Sequence, residues 1–142
     1  MSELLNGQAG ERRLFLGNEA IVRGALEAGV SLAATYPGTP ASEIGDRFYE
    51  ISRQTDLIFE YSVNEKVALE VAAGASAAGW RTLASMKHVG LNVAADALIT
   101  LGYVGVKGGL VIVTADDPSL SPCRLRLWVC SIAISSAMRC CA

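Results

Sequence analysis

Residues 1–122 contain no cysteine, so neither a disulfide framework nor a thiolate metal cage holds the body of this chain together. Histidine occurs once, at position 88, and no zinc-ligand spacing is present. There is no glycine-rich phosphate loop and no serine-nucleophile elbow. No basic run stands out, which excludes nucleic acid as a partner. A long uninterrupted apolar stretch is also missing. Val89 to Val106 comes nearest, but Asn92 and Asp96 interrupt it and Gly102 and Gly105 loosen it. It reads as a buried helix and turn, not a membrane span. The opening residues carry an early acid, Glu3, and no apolar core, so a secretory leader is not expected. The expectation is a cytoplasmic protein that does not touch a membrane.

Apolar residues fill the space these absences leave. They make up 51% of 142 residues, yet aromatics are only 6% and charged residues 18%. The apolar content is therefore mostly Ala, Val, Leu and Ile, with 14 glycines among them. Small residues let backbones approach closely, and the length suffices for one core. Disorder is excluded, because a disordered chain lacks apolar surface to bury. Net charge is -2, from 12 basic and 14 acidic residues.

Along the chain, residues 1–13 are polar and read as a loose leader. A helix is expected from Asn18 as cap, through Glu19 in its first turn, to a stop at Gly29. Ser31–Tyr36 reads as a buried strand stopped by Pro37 and Gly38. Pro40 then suits the first turn of a second helix, with Thr39 as its cap, running to about Gln54. Leu57–Ser62 alternates as a strand should. Asn64–Gly79 is a helix of small and apolar residues that should be buried against a sheet or a second subunit. Arg81–Met86 is a third strand and Val89–Leu101 a fourth helix. Gly109–Ala115 is a continuous β-branched run, typical of a strand covered on both faces. Strands alternating with helices predict an α/β fold, a mostly parallel sheet with helices on both faces.

In such a sheet, ligands bind beyond the carboxyl ends of the strands. Tyr36–Pro40, Asn64–Glu65 and Lys87–Gly90 fall there, with Asp116–Asp117 as a fourth contributor. Each has a plain structural role. Glu65 in a first helical turn serves the helix dipole, worth about 0.3–1 kcal/mol. Thr39 can cap its helix while the backbone amides beside it offer donors to a ligand. A lone histidine is more often structural, and Lys87 is most simply a solvated charge. The two aspartates suit a turn before Pro118. From the residues alone, the reading stops at an α/β domain with a polar crevice at its strand ends.

Three segments carry a resemblance. Tyr36-Pro-Gly-Thr-Pro-Ala-Ser resembles the Tyr-Pro-x-Thr-Pro-x-Ser signature of the thiamine-diphosphate-dependent 2-oxoacid:ferredoxin oxidoreductases. Asn64-Glu-Lys-Val-Ala-Leu-Glu-Val-Ala-Ala-Gly resembles the family helix that begins with the cofactor-activating glutamate. Ser85-Met-Lys-His-Val-Gly-Leu-Asn is similar to the indolepyruvate branch, and Val111–Ser119 fits the same pyrimidine-binding domain. The resemblance spans Leu14–Leu120 and implies the thiamine-diphosphate-binding fold.

It further implies oxidative decarboxylation of an arylpyruvate, with coenzyme A, to an aryl-acetyl-CoA, reducing ferredoxin. Glu65 matches the glutamate that hydrogen-bonds a ring nitrogen of the aminopyrimidine. Pro37, Gly38 and Thr39 match the cofactor-facing turn, with Thr39 also facing the oxoacid. Lys87 and His88 match the loop beside the substrate. The diphosphate with its Mg2+, the iron–sulfur clusters, the second subunit and the ferredoxin contacts belong to segments this chain does not contain. Such a chain is expected to be inactive alone and to oligomerise. The same domain of a pyruvate or branched-chain 2-oxoacid enzyme, or a non-catalytic dimerisation module, is the alternative.

After Ser121 the family pattern stops. Residues 122–142 hold three arginines, four cysteines and no acid. Their spacing fits no iron–sulfur or zinc set. The expectation is a pyrimidine-binding domain over 14–121, followed by an aberrant tail produced by a shifted reading frame.

Overall fold

The computed structural model describes residues 3–8, 10–116 and 129–134, with Glu3 and 129–134 described by backbone only. Helices and strands alternate: α1 (Gly17–Glu27), β1 (Leu32–Thr35), α2 (Ser42–Ser52), β2 (Ile58–Tyr61), α3 (Glu65–Ala77), β3 (Thr82–Lys87), α4 (Gly90–Val93), α5 (Ala95–Val104), β4 (Leu110–Ala115) and β5 (Val129–Ile134). The sheet order is β2-β1-β3-β4-β5. The first four strands are parallel, and β5 lies antiparallel on β4. The mostly parallel α/β sheet read from the sequence is the one observed.

Register sorts the strand residues onto two faces. Ala33 pairs with Leu83 and Leu83 with Val111. With Val113, these meet Val22, Ile44, Phe48 and Ile51 from α1 and α2. Their neighbours Ala34, Ala84 and Ile112 form the opposite row, under Ala68, Leu69 and Ala72 of α3 and Ala97 of α5. The alanines let α3 sit close to the sheet, which is why the chain has so many. Phe48 is the largest fully buried side chain, and its burial contributes about 1.5–3 kcal/mol.

Local signals explain most ends. Gly29, at φ 74, follows α1, a conformation a Cβ would penalise. Asn64 caps α3, its Oδ1 accepting from the Val67 amide at 2.9 Å. Four expectations need correction. Asn18 does not cap α1; Leu16 holds that position, and the Glu19 carboxylate accepts from its amide at 3.2 Å. Thr39 does not cap α2. The amides of Ala41 and Ser42 both reach the Gly38 carbonyl, so the helix begins later, at Ser42. The single helix expected over Val89–Leu101 is two, parted at Ala94. The loose leader contains a 3-10 turn, and its Leu4 is 3% exposed, packed on the α1 side of the core. Asp117 and most of the cysteine-rich tail lie outside the described residues.

The Lys66 ammonium, 2.7 Å from Asp96, ties α3 to α5. At that exposure the pair sets register more than it adds stability.

At the β2 edge, Tyr61 stands edge-to-face on Phe59, with ring centroids 4.8 Å apart. Its hydroxyl donates to Asp46 at 2.7 Å. Burial, then this bond, pushes the phenol above its ordinary 10.0. A raised folded-state value means a contribution present below pH 10 and lost as pH climbs through the folded value. Urea unfolding should show stability falling above pH 10, and Tyr61→Phe should lose less over that window. Equal alkaline losses in both proteins would exclude the phenol as the source.

Candidate functional site

The four parallel strands end on one side, and the first three each hand the chain to a segment that the sheet's own ladder continues to hold. The Tyr36 amide donates to Ser85 O at 3.2 Å, the Ser62 amide to Thr35 O at 2.9 Å, and the His88 amide to Ala115 O at 3.0 Å. Between β1 and β3, buried Thr35 and Ser85 join their hydroxyls at 2.7 Å. The order β2-β1-β3-β4 reverses between these two strands, where a doubly wound sheet opens its crevice.

The turn after β1 is braced from both sides. The amide nitrogen of Asn18 in α1 donates to the Pro40 carbonyl at 3.0 Å and to Glu43 at 2.8 Å. Asn18 was read as a cap, so this bracing role was missed; a bond across 22 residues leaves no local signal. On the other side Gly38 meets Lys87, whose Cβ would lie 3.2 Å from any Cβ placed at position 38. The Thr39–Pro40 peptide is cis. Thr39 is exposed and opens onto a recess of about 380 Å3 shared with Leu16, Gly17, Asn18, Pro40, Ser42 and Glu43. Pro37 is exposed and Gly38 half-buried, and neither lines that recess.

Glu65 is the first residue of α3 and is half-buried. Its carboxylate makes no hydrogen bond or ion pair among the described residues. The adjacent cation, Lys66, is turned to Asp96. Glu65 rests instead on Gly90, the first residue of α4. A Cβ there would collide with its Oε1 and fall 2.7 Å from its carboxyl carbon. Gly90 is thus a space requirement that the sequence showed only as part of a motif. Of the small residues that follow Glu65, Ala68 and Ala72 are buried on the sheet and Gly74 is exposed. Exposed Val63 and Val89 flank Glu65 and Gly90 in the chain.

His88 and Asp116 complete the rim. Nδ1 of His88 lies 3.1 Å from the Asp116 carboxylate. That nitrogen is buried and makes no hydrogen bond among the described residues, so the carboxylate is a close neighbour of it and not yet a hydrogen-bond partner. The structure therefore brings Gly38 to Lys87, Glu65 to Gly90, and His88 to Asp116. It shows Thr39 in its own recess, on the α1 side of the same turn. No group of three or more metal-ligating side chains occurs among the described residues. Among them, no helix is long and apolar enough to cross a membrane.

Residues 23–103 match the domain family described as pyruvate flavodoxin/ferredoxin oxidoreductase, thiamine diphosphate-binding. The chain belongs to that family. Among relatives of this thiamine-diphosphate-binding domain, indolepyruvate oxidoreductase subunit IorA of Methanothermobacter thermautotrophicus is 54% identical over 120 residues, covering 84% of this chain and 19% of that protein. The protein of the same name from Pyrococcus abyssi is 58% identical over 111 residues, 78% of this chain and 17% of its own length. The 2-oxoglutarate synthase subunit KorA of Archaeoglobus fulgidus is 31% identical over 103 residues, 72% of this chain and 29% of its own. The chain thus spans about a fifth of the indolepyruvate relatives it matches. The 2-oxoglutarate:ferredoxin oxidoreductase of Magnetococcus marinus shares the fold, with a TM-score of 0.68 at 21% identity over 75% of this chain and 19% of that one.

The Gly90 contact yields a direct test. Gly90→Ala should change unfolding free energy by less than about 1 kcal/mol, because alanine suits a helical position. It should nevertheless drive the Glu65 carboxylate off its seat, seen as a moved carboxyl carbon-13 signal. An unmoved signal would show that Gly90 does not set where Glu65 lies.

Proposed function

We propose that this chain holds the aminopyrimidine of thiamine diphosphate for an indolepyruvate:ferredoxin oxidoreductase, with residues 14–121 as the pyrimidine-binding unit. The observation that carries this reading is Glu65: a half-buried carboxylate with no partner among the described residues, seated over a glycine at the strand-end crevice. No side chain of the described residues occupies that carboxylate, so it is available to a ligand. A heteroaromatic ring nitrogen that shares a proton suits that vacancy, and the family to which the chain belongs takes such a cofactor.

When bound, thiamine diphosphate supplies the carbanion chemistry of 2-oxoacid decarboxylation. The chain's own residues orient and exchange protons. Glu65 accepts or shares the proton of the ring nitrogen, in a setting where a hydrogen bond is stronger than in water. Pro37 and Gly38 shape the turn against Lys87, and Thr39 offers its hydroxyl toward cofactor and oxoacid. Lys87 and His88, at the head of β3, contact the arylpyruvate. Diphosphate and Mg2+ binding, iron–sulfur clusters, coenzyme A, the second subunit and ferredoxin fall to the rest of a cytoplasmic oligomeric enzyme. The isolated chain is inactive in this reading, and residues 122–142, which add β5 to the edge of the sheet, lie outside the pyrimidine-binding unit.

Identity favours the indolepyruvate branch. Relatives named for it match at 52–58%, against 31% for the 2-oxoglutarate protein and 32% for a ketoisovalerate oxidoreductase subunit. A dimerisation module without catalysis would have no use for an unpartnered Glu65.

In the assembled oxidoreductase, Glu65→Gln should lower thiamine-diphosphate-dependent turnover of indolepyruvate by about 10²–10⁴-fold, the range of a positioned proton-transfer group. Turnover within about twofold of wild type would refute the assignment, since a glutamine keeps the size and loses only the proton chemistry.

A further inference from the structure

His88 is the one imidazole in the chain, and its two nitrogens have different surroundings. Nδ1 is buried, with the Asp116 carboxylate 3.1 Å away and no hydrogen-bond partner. The side chain as a whole is 32% exposed, so the accessible edge is the one carrying Nε2. The backbone fixes both residues. The His88 amide donates to Ala115, the residue before Asp116, at 3.0 Å. Met86 through Lys87 pair in register with Thr114 through Ala115. The two side chains thus leave adjacent strands at the same height, as the sheet's geometry requires.

We propose that Asp116 is a positioning residue that holds His88 in the Nδ1–H tautomer, leaving Nε2 as a hydrogen-bond acceptor at the crevice. A carboxylate cannot donate, so the nitrogen facing it must carry the proton. A neutral imidazole protonated at one nitrogen accepts at the other. The strand-end crevice then presents an acceptor two residues before Gly90 in the chain, matched to a ligand bearing an N–H or O–H donor on its side chain. The proposal depends on the preceding functional reading only for the identity of that ligand. A site built to accept such a donor penalises an analogue that lacks it, because the acceptor is left unpaired.

The sole histidine makes the test unambiguous. Long-range proton–nitrogen-15 correlation on the whole chain, at a pH where the ring is neutral, reports which nitrogen carries the proton. The expected spectrum has Nδ1 protonated and Nε2 of acceptor type. In Asp116→Ala the population should move toward Nε2–H, while the dispersion of the backbone amides reports that the fold persists. Nε2–H in the wild-type chain overturns the proposal without recourse to any variant, as does an unchanged tautomer in a folded Asp116→Ala. Loss of thiamine-diphosphate dependence would leave this result standing and would count against the functional reading alone.

Discussion

A half-buried carboxylate is normally answered by a cation or by backbone amides; among the described residues Glu65 meets neither. Its position comes from what surrounds it. Asn64 takes the Val67 amide and so fixes where α3 begins. Lys66 is drawn off to Asp96. Gly90 leaves the volume in which the carboxyl group rests. The arrangement places a carboxylate with no protein partner among the described residues at the carboxyl ends of the strands, still open to solvent or a ligand, and the rest of the structure keeps it there. The alanine-rich face of α3 holds the helix close to the sheet. The shared Thr35–Ser85 hydroxyls keep β1 and β3 together at the crevice, and Asn18 braces the opposite wall.

The rim around Glu65 is assembled from contacts that are short in space and long in sequence. Gly38 reaches Lys87, Glu65 reaches Gly90, and His88 reaches Asp116. A parallel sheet produces this automatically, because all its strands deliver their following loops to the same edge. The family to which the chain belongs is a thiamine-diphosphate-binding one, and that cofactor has a ring at one end and a diphosphate at the other. Half of such a site is what a single sheet edge can supply.

Much of this was legible in the sequence, for physical reasons. Gly29 and Asn64 are local signals acting within a few residues, and both were read correctly as a helix stop and a helix start. The run Leu110–Ala115 could only be a strand covered on two faces, and it is buried along almost its whole length. Glu65 was visible as a first-turn acid, but its importance came from resemblance, since a helix-dipole role looks the same on paper. The errors share one cause. Thr39 looked like a cap because nothing local showed that the Gly38 carbonyl would take the next two free amides. The break at Ala94 has no proline or glycine to mark it and is imposed by packing on α3 and β3. Asn18, Gly90 and the His88–Asp116 pair act through partners 22 or more residues away, a distance across which periodicity and capping rules carry no information.

The central claim is that Glu65 waits for a ring nitrogen, and a structure of the assembled oxidoreductase with thiamine diphosphate bound measures that contact directly. The account predicts a Glu65 carboxylate oxygen at hydrogen-bonding distance, about 2.7–3.2 Å, from a nitrogen of the aminopyrimidine, with Gly90 still beneath it. A carboxylate turned to bulk water, with the pyrimidine held by some other segment, would contradict it.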